Sequence, residues 1–595
     1  MPPRVRQAGA LVLMMIALGV ATGCVEALIL WTKQAAFGQV IFVSRHALWM
    51  TPSLYALIFG ALGVLLGALA LVFPTWVTAP FAVFVGVSFG VGCLFLPVGA
   101  IHRIAAAILS AGIGVQMARY TRERPARARR LLGGALVTLV ALSAAAGAVG
   151  EVLRRTDSSG FAGPVSGMRT GMPNVLLVVW DTVRSASLSL YGHARPTSPV
   201  LERLARESVV FDRAFSASPW TLPGHSTLFT GRWPHELSSS WYSRLDDAEP
   251  TMAEVFRTAG YTTGGFVANH HYTSYDSGLG RGFDVYQDYR VSREQFLLSS
   301  AFTQTRSGGR MVRARSLSEL WSALREFNWY VDVKRGSDRK HSDDINDEFL
   351  TWVDGLGSQP FFGFLNYFDA HAGYWSPPEF KRFGQGAEAA YEAAIAYQDD
   401  RLGTLLEELE RRGVLENTLV IFTSDHGELF GEHGLNGHAH NLYLPVLHVP
   451  LLIRYPGGVP AGVRVGAEVS LRDVPATVLD LAGIDAGGVF PGNSLTRYWS
   501  GTPQEAASLL AEVQVGRNNP PTDPISRGPV RSVLQDGWQY ILNGDGVEEL
   551  YDYAGRPGDE TNLVELPEHQ ARRSAMRAWL EHVVPESATT GATSH

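Results

Sequence analysis

The stretch Thr418–Pro450, TLVIFTSDHGELFGEHGLNGHAHNLYLPVLHVP, decides the fold of this chain. It begins with an apolar, β-branched run, Thr418–Thr423, which predicts a buried strand. The run ends just before Asp425 and His426, so a carboxylate and an imidazole follow the carboxyl end of that strand. Open α/β sheets bind their ligands at this edge. Oxygen and nitrogen donors together suit a divalent metal such as zinc or manganese, and an Asp–His pair in a turn can also be a simple cap.

A second predicted strand ends in the same way. The run Asn174–Trp180, NVLLVVW, is apolar and is followed at once by Asp181, with Arg184 three residues later. Taken alone, Asp181 could be the N-cap of a helix. Together with Asp425, it puts a carboxylate at the carboxyl end of two separate strands.

A third stretch, Ser216–Arg232, reads SASPWTLPGHSTLFTGR and predicts a helix that begins near Thr221. Pro223 fits the first turn, where its missing N–H costs nothing. Thr221 then lies at the N-terminus of the helix, where free N–H groups and the helix dipole favour an anion. A capping threonine and a hydroxyl nucleophile that becomes esterified by an anionic group would both take this position.

Composition narrows the function classes. The chain has 595 residues, a formal net charge of −7, 18% charged residues and 46% apolar residues. This is too apolar for a disordered chain, and the absence of a basic excess argues against nucleic-acid binding. The 2 cysteines, Cys24 and Cys93, both lie in apolar runs near the N-terminus, so no cysteine zinc site or disulfide is expected after residue 150.

Residues 1–150 predict a membrane region of about five helices. The arginine-rich loop Arg119–Arg130 should stay in the cytoplasm, which places everything after Gly150 outside the cytoplasmic (inner) membrane. A polar linker, 151–171, would follow. Each apolar run approaches the roughly 20 residues that a spanning helix needs, and the runs are Gln7–Trp31, Pro52–Trp76, Ala79–Gly99, Ile101–Ala118 and Leu131–Gly150.

The order Asp181, then TLPGHSTLFTG, then SDHGE resembles the sulfatase family of the alkaline phosphatase superfamily. The resemblance covers roughly residues 172–565. It implies an α/β fold with a sheet flanked by helices over 172–500, and a small C-terminal subdomain within 501–595. Further matching pieces are DTVRSASLSLYG, RPTSPVLERLA, GYTTGGFVAN, FFGFLNYFDAHAGYWSPPEF, AYQDDRLGTLLEELERRG and EELYDYAGRPGDETNL.

The resemblance also implies roles for individual residues. It puts the nucleophile at Thr221 and further catalytic groups at His225, which stands where the family has an arginine, and at His371 and His438. The implied cofactor is a divalent metal (zinc, manganese or calcium), held by Asp181, Thr221, Asp425 and His426. The implied substrate-binding residues are Arg184, Asn269 and His440.

The chain differs from the family pattern at two positions of the implied active site. Sulfatases usually have two acidic residues where this chain has Asp181 and Thr182. They also convert a cysteine, or sometimes a serine, at the nucleophile position into formylglycine, and Thr221 cannot become that aldehyde. A threonine ester must instead be attacked by water or another acceptor, which is the course of phosphoryl-enzyme chemistry. In overall plan the chain resembles phosphoethanolamine transferases and lipoteichoic acid synthase, whereas its C-terminal part resembles phosphonate monoester hydrolases.

The segment 290–340 interrupts the resemblance with basic residues interleaved with Trp321, Phe327, Trp329 and Tyr330. It could be a solvated helical insertion, or a lid over anionic lipid head groups. Three function classes stay open. The expected one is a phosphate-ester hydrolase or transferase acting on an anionic ester, such as a lipid head group or envelope glycan. The alternatives are a sulfuric ester hydrolase and a non-catalytic lipid-binding protein.

Overall fold

The structure is a computed structural model, and it describes residues 2–40, 44, 46–96, 101–156, 171–305, 316, 319, 339–500, 507–516, 519–556, 558 and 560–585. The chain divides into two compact units. One comprises Met1–Thr156 and Tyr289–Asp338, and the other comprises Asp157–Asp288 and Arg339–His595. Most of the predicted linker 151–171 and most of the insertion 290–340 lie outside the described residues.

Five helices lie where the sequence predicts five spans. Three of them, α1, α2 and the part of α5 up to Gly150, are long and apolar enough to cross a membrane, and α3 is a shorter apolar helix of 17 residues. The helix at the fourth predicted span begins with Arg103, so this span stays a prediction. The five helices are α1 (Pro3–Phe37), α2 (Ala47–Val72), α3 (Ala79–Phe95), α4 (Arg103–Glu123) and α5 (Pro125–Thr156).

The described start of the insertion, up to residue 305, packs on these N-terminal helices within the same unit. It contains two short helices, α9 (Arg293–Leu297) and α10 (Ala301–Gln304). The Glu26 carboxylate accepts hydrogen bonds from the Tyr55 hydroxyl and from the Ala301 N–H, each at 2.7 Å. The ring of Phe302 meets that of Phe89 edge to face, with centroids 5.1 Å apart. These contacts attach the start of the insertion to the apolar helices.

The second unit is built on an eight-stranded sheet. Its strands are β1 (Asn174–Trp180), β2 (Val209–Phe215), β3 (Thr262–Val267), β4 (Val285–Gln287), β5 (Phe361–Tyr367), β6 (Thr418–Ser424), β9 (His448–Arg454) and β10 (Val463–Ser470). Their order across the sheet is β10-β2-β9-β6-β1-β5-β3-β4, and β9 alone runs antiparallel to its neighbours. The strands predicted from the sequence are therefore present, with β6 one residue longer than expected.

Apolar residues bury the central strands on both faces. Every residue of β5 and β6 is buried, as is β1 after Asn174, because helices pack against the sheet. This confirms the predicted α/β sheet flanked by helices. The helices of this unit are α6 (Pro199–Ala205), α7 (Thr221–Thr230), α8 (Met252–Thr258), α11 (Ser342–Asp354), α12 (Ala387–Arg411), α13 (Leu444–Leu447), α14 (Val474–Ala482) and α15 (Gln570–Val583).

Two smaller sheets complete the unit. A short hairpin, β7 (Leu429–Phe430) with β8 (Asn436–Gly437), follows the Asp425–His426 pair. A four-stranded antiparallel sheet lies in the predicted C-terminal subdomain, and α15 packs on it through Met576 and Leu580. The strands of this sheet are β11 (Leu509–Val513), β12 (Val530–Gln535), β13 (Trp538–Leu542) and β14 (Glu548–Asp552).

Candidate active site

Three buried ligand groups meet where β1 and β6 end. Trp180 and Ser424, the last residues of these parallel strands, are paired across the sheet, so Asp181 and Asp425 emerge side by side. His426 Nε2 lies 3.4 Å from Asp425 Oδ2 and 4.0 Å from Asp181 Oδ1. All three side chains are fully buried, and their ligand atoms lie within 4.8 Å of one another. The structure thus brings together Asp181, Asp425 and His426, which the sequence predicts at the carboxyl edge of the sheet.

The donor set fits a divalent cation. His426 Nδ1 donates to the Gly427 carbonyl oxygen at 3.0 Å, which leaves the lone pair of Nε2 facing the two carboxylates. Burial lowers the pKa of His426 to about 4, so the ring is neutral at pH 7. Burial and the nearby charge of Asp425 raise the pKa of Asp181. Among the described residues, Asp181 Oδ1 and Asp425 Oδ2 have no hydrogen-bond partner. Buried oxygens of this kind require a compensating positive charge.

Thr182 holds the second carboxylate in place through a strained backbone. Its φ is 65°, a conformation that is unfavourable for a β-branched residue. In this conformation its N–H donates to Asp425 Oδ1 at 3.2 Å, and its hydroxyl donates to the Asp181 carbonyl oxygen at 2.7 Å. Thr182 therefore orients one ligand at the position where the resemblance implies a second acid.

Thr221 begins α7, and Trp220 is the N-cap residue. The Thr221 hydroxyl oxygen lies 3.3 Å from His426 Nε2. Close approach of the helix depends on Gly224, because a Cβ there would stand 3.1 Å from the Asp425 carbonyl oxygen. The first-turn N–H groups and the dipole of α7 favour negative charge at this end. A hydroxyl group thus stands between the ligand cluster and an anion-favouring helix terminus.

His225 lies one turn further along α7 and is fully buried. Its Nδ1 lies 2.8 Å from the Thr221 carbonyl oxygen and 3.3 Å from Asp425 Oδ2. It therefore links the helix that carries Thr221 to a carboxylate of the cluster. This arrangement supports a positioning role for His225.

His371 and His438 extend the site beyond His426. The ring centroid of His438 lies 4.6 Å from that of His426 and 5.1 Å from that of His371. His438 Nδ1 donates to Glu428 Oε1 at 3.1 Å, which leaves Nε2 as the nitrogen available to a ligand. His371 stacks on Phe368 with centroids 4.2 Å apart. The imidazoles of His426, His438 and His371 therefore lie next to one another in this order, and His426 is the one beside Thr221.

Asn269 lies two residues after β3 and supports the ligand cluster. Its Nδ2 donates to Asp181 Oδ2 at 2.7 Å, and its own N–H donates to Asn366 Oδ1 at 3.0 Å. A hydrogen bond of this kind fixes the orientation of a carboxylate ligand. The geometry therefore favours a ligand-supporting role for Asn269 over direct contact with substrate.

Arg184 and His440, the other two predicted substrate-binding residues, are engaged elsewhere. The Arg184 guanidinium forms ion pairs with Glu388 at 2.9 Å and with Glu432. Both ring nitrogens of His440 make hydrogen bonds within its own loop, Nε2 to the Asn436 carbonyl oxygen at 2.9 Å. Both side chains are therefore engaged by contacts within the protein.

The structure also identifies residues that sequence reasoning missed. Glu428, which orients His438, directly follows Asp425-His426-Gly427, so its place in the SDHGE motif was a usable signal. Trp220 packs against Trp241 and Tyr272, with centroids 4.0 and 4.4 Å away, and its ring borders the site, 6.4 Å from that of His438. Arg339 contacts His371, and no motif in the sequence marks it.

Comparison with known proteins identifies the family of the chain. Residues 173–484 match the family model described as Sulfatase. The chain is similar to an ulvan-active sulfatase of Formosa agariphila, with 24% identity covering 70% of this chain and 81% of that protein. It is also similar to a choline-sulfatase of Rhizobium meliloti, with 26% identity covering 69% and 86%.

A solved structure shares the fold. The phosphonate monoester hydrolase of Agrobacterium radiobacter aligns with a TM-score of 0.55 and 22% identity, covering 69% of this chain and 95% of that one. The family model spans more than half of the 595 residues and includes Asp181, Thr221, Asp425 and His426. The chain therefore belongs to the sulfatase family, whose members are ester hydrolases.

Proposed function

We propose that this sulfatase-family protein is a metal-dependent hydrolase or transferase of phosphate esters or diesters that works through a covalent ester on Thr221. One observation carries the proposal: the Thr221 hydroxyl lies 3.3 Å from His426 Nε2, beside the buried carboxylates of Asp181 and Asp425. An activated hydroxyl beside an electrostatic clamp is the arrangement that nucleophilic ester cleavage requires.

The identity of the nucleophile favours phosphate over sulfate. A formylglycine hydrate expels sulfate by collapsing to its aldehyde, whereas threonine carries no second hydroxyl that could do so. No formylglycine is expected, because residue 221 is threonine. The ester on Thr221 must therefore be cleaved at phosphorus or sulfur by an incoming oxygen, and phosphoryl-enzyme intermediates are resolved in this way.

Each group of the site has a separate role in the proposed cleavage of the phosphate ester. A divalent cation held by Asp181, Asp425 and His426 would lower the pKa of a nearby hydroxyl and offset the charge of the substrate oxygens. Thr221 Oγ gives up its proton to solvent and forms a bond to phosphorus as the bond to the leaving oxygen breaks. That oxygen takes a proton from Nε2 of the protonated His438 ring, whose Nδ1–H is held by Glu428. Water or another acceptor then attacks the phosphothreonine, so hydrolysis and transfer share the first step.

Hydrolysis of sulfate esters is the second candidate function. It is supported by two of the relatives, an ulvan-active sulfatase and a choline-sulfatase. The phosphonate monoester hydrolase with the same fold shows that the fold also serves phosphorus esters. Thr221 is the feature of this chain that separates the two candidates.

A substrate panel tests the choice. We expect the purified full-length protein, loaded with zinc or manganese, to cleave aryl phosphate mono- or diesters at least about 10²-fold more efficiently in kcat/KM than the matching aryl sulfate. The same leaving group in every substrate removes differences in leaving-group chemistry. A reversed preference, with phosphate esters ignored, would establish sulfate-ester hydrolysis instead.

The contacts of the N-terminal unit support a catalytic domain outside the cytoplasmic membrane. The insertion belongs to the chain that follows Gly150, and it contacts Glu26 towards the end of α1, Thr51 near the start of α2 and Phe89 towards the end of α3. These positions share one membrane side if consecutive helices cross in alternating directions. The end of α5 then lies on that side, opposite the arginine-rich loop.

A reporter fusion tests this topology. A phosphatase-type reporter that is active only in the oxidising space outside the cytoplasm should be active when joined after Gly150. The same reporter joined after Arg124, within the arginine-rich loop, should be inactive. Activity at the loop and silence after Gly150 would contradict the topology, and with it an extracytoplasmic substrate such as a lipid head group or envelope glycan.

A further inference from the structure

Arg339 is the first residue of the catalytic unit after the insertion, and its side chain reaches the active site. We propose that Arg339 binds the anionic group of the substrate, supplying a guanidinium to the site from the C-terminal end of the insertion. The inference rests on the proposed function, because it assumes that the site takes an anionic ester.

Two kinds of contact hold the guanidinium at this place. Arg339 Nη2 donates to Nδ1 of His371 at 3.4 Å and to the Ala372 carbonyl oxygen at 3.1 Å. The guanidinium carbon also lies 4.5 Å from the ring centroid of Phe368, over the aromatic face on which His371 stacks. The ring of Phe368 thus contacts both the Arg339 guanidinium and the His371 imidazole, and it fixes the orientation of the two groups relative to each other.

Among the described residues, the charge of Arg339 is not neutralised by an ion pair. Within the described part of the chain, no carboxylate lies at ion-pair distance from its guanidinium, although the side chain is half-buried. Burial lowers the pKa of Arg339, against the weaker attraction of Asp369 and Asp181. An arginine stays charged even so. A partly desolvated cation that has no counter-ion among the described side chains is complementary to an anion that arrives with the substrate.

Two other buried cations of the catalytic unit show the contrast. Lys340, the next residue, is buried and donates to Glu348 Oε2 at 2.6 Å and to the Gln287 carbonyl oxygen at 2.8 Å. Arg184 is paired with Glu388 and Glu432. The charges of Lys340 and Arg184 are thus neutralised by carboxylates of the protein. The described contacts of the Arg339 guanidinium are instead with an aromatic ring, an imidazole and a carbonyl oxygen.

The proposal also bears on the arginine that is missing from the nucleophile helix, α7. The resemblance to sulfatases implies an arginine one turn after the nucleophile, and this chain has His225 there. His225 is fully buried, its Nδ1 contacts Asp425 Oδ2 and the Thr221 carbonyl oxygen, and an imidazole lacks the planar donor fork with which an arginine binds an anion. Arg339 supplies positive charge beside His371.

The test compares Arg339→Met, which keeps bulk over Phe368 but removes the charge, with Arg339→Lys, which keeps the charge but loses the planar fork. Arg382→Met is the matched control, since Arg382 is exposed and also lies over a ring, 5.4 Å from the centroid of Phe383. Each metal-loaded, full-length protein is assayed for kcat and KM on an aryl phosphodiester and for competitive inhibition by inorganic phosphate and by inorganic sulfate.

We expect Arg339→Met to raise the inhibition constant of the preferred anion, and to lower kcat/KM, by roughly 10- to 100-fold. Arg339→Lys should recover part of this loss, and Arg382→Met should stay within about twofold of wild type. Metal content and Tm should be unchanged in all three. A merely structural role would lower Tm without a selective loss of anion affinity.

The outcomes separate this inference from the proposed function. Wild-type turnover of phosphate esters with an unchanged Arg339→Met variant overturns the role of Arg339 and leaves the proposed function standing. Wild-type cleavage of sulfate esters alone overturns the proposed function, and a loss of sulfate affinity in Arg339→Met would still uphold Arg339. Wild-type protein that binds neither anion overturns both.

Discussion

Asp425→Asn is expected to lose the bound divalent metal and at least about 10³-fold in kcat/KM while the protein stays folded. The asparagine can keep Oδ1 as acceptor for the N–H groups of Thr182 and His426, which lie 3.2 and 2.9 Å from it. The other carboxylate oxygen, which faces His225 and His426 Nε2, becomes an NH₂ group. An NH₂ group cannot ligate a cation, so the variant removes a ligand and little else.

Metal content per chain, measured by elemental analysis, and steady-state kinetics check this expectation. Asp399→Asn is the control, because Asp399 is a buried carboxylate that accepts from the N–H groups of Val200 and Leu201 and contacts no member of the ligand cluster. It should lower Tm but keep metal and activity. Stoichiometric metal in Asp425→Asn, together with normal turnover, would contradict the metal centre.

The cluster of Asp181, Asp425 and His426 can be predicted from the sequence because its members follow the ends of two strands. The apolar runs at Asn174–Trp180 and Thr418–Ser424 are long, β-branched and sharply bounded, so their positions follow from local pattern alone. Parallel pairing then places their carboxyl ends together, and Asp181, Asp425 and His426 must meet. Little tertiary information is needed for this step, because the register of buried strands is strongly specified.

The surroundings of the cluster depend on contacts that no local pattern encodes. Arg184 stands three residues from Asp181 and looked suited to an anion, yet Glu388 and Glu432 reach it from distant parts of the chain. Arg339 lies in a basic segment where it was one cation among many, and only the fold brings it against His371. Which arginine is paired and which is not is decided by tertiary packing.

The contacts of the insertion, residues 290–340, are likewise not encoded by its local sequence pattern. Its composition favoured a solvated helix or a lid over lipid head groups, with no means of choosing between them. The part of the insertion that carries the basic and aromatic residues lies mostly outside the described residues. The described start of the insertion packs on apolar helices, with the Ala301 N–H bonded to the buried carboxylate of Glu26, 275 residues away in sequence. Such long-range pairing cannot be derived from hydropathy or charge pattern.

Thr221→Ala is expected to abolish turnover, by about 10³-fold or more in kcat, and to leave the metal bound. The hydroxyl lies 3.3 Å from His426 Nε2, but Asp181, Asp425 and His426 form the ligand cluster without it. Thr221→Ser keeps the nucleophile and should retain much of the activity. The wild-type protein, quenched during turnover of a phosphate ester, should carry a phosphate ester on the peptide that contains Thr221, detectable by mass spectrometry.

Ser226→Ala is the matched control for loss of a hydroxyl from the same helix, because the Ser226 hydroxyl donates to the Leu222 carbonyl oxygen at 2.8 Å, within α7. It should keep near-normal kcat, so that a loss in Thr221→Ala reports chemistry and not damage to α7. Thr221→Cys, produced together with a formylglycine-generating enzyme, recreates part of the sulfatase signature. It should gain little sulfatase activity, because His225 is held by Asp425 where that signature has an arginine. Turnover that survives in Thr221→Ala would exclude the covalent ester and leave direct attack by water as the mechanism.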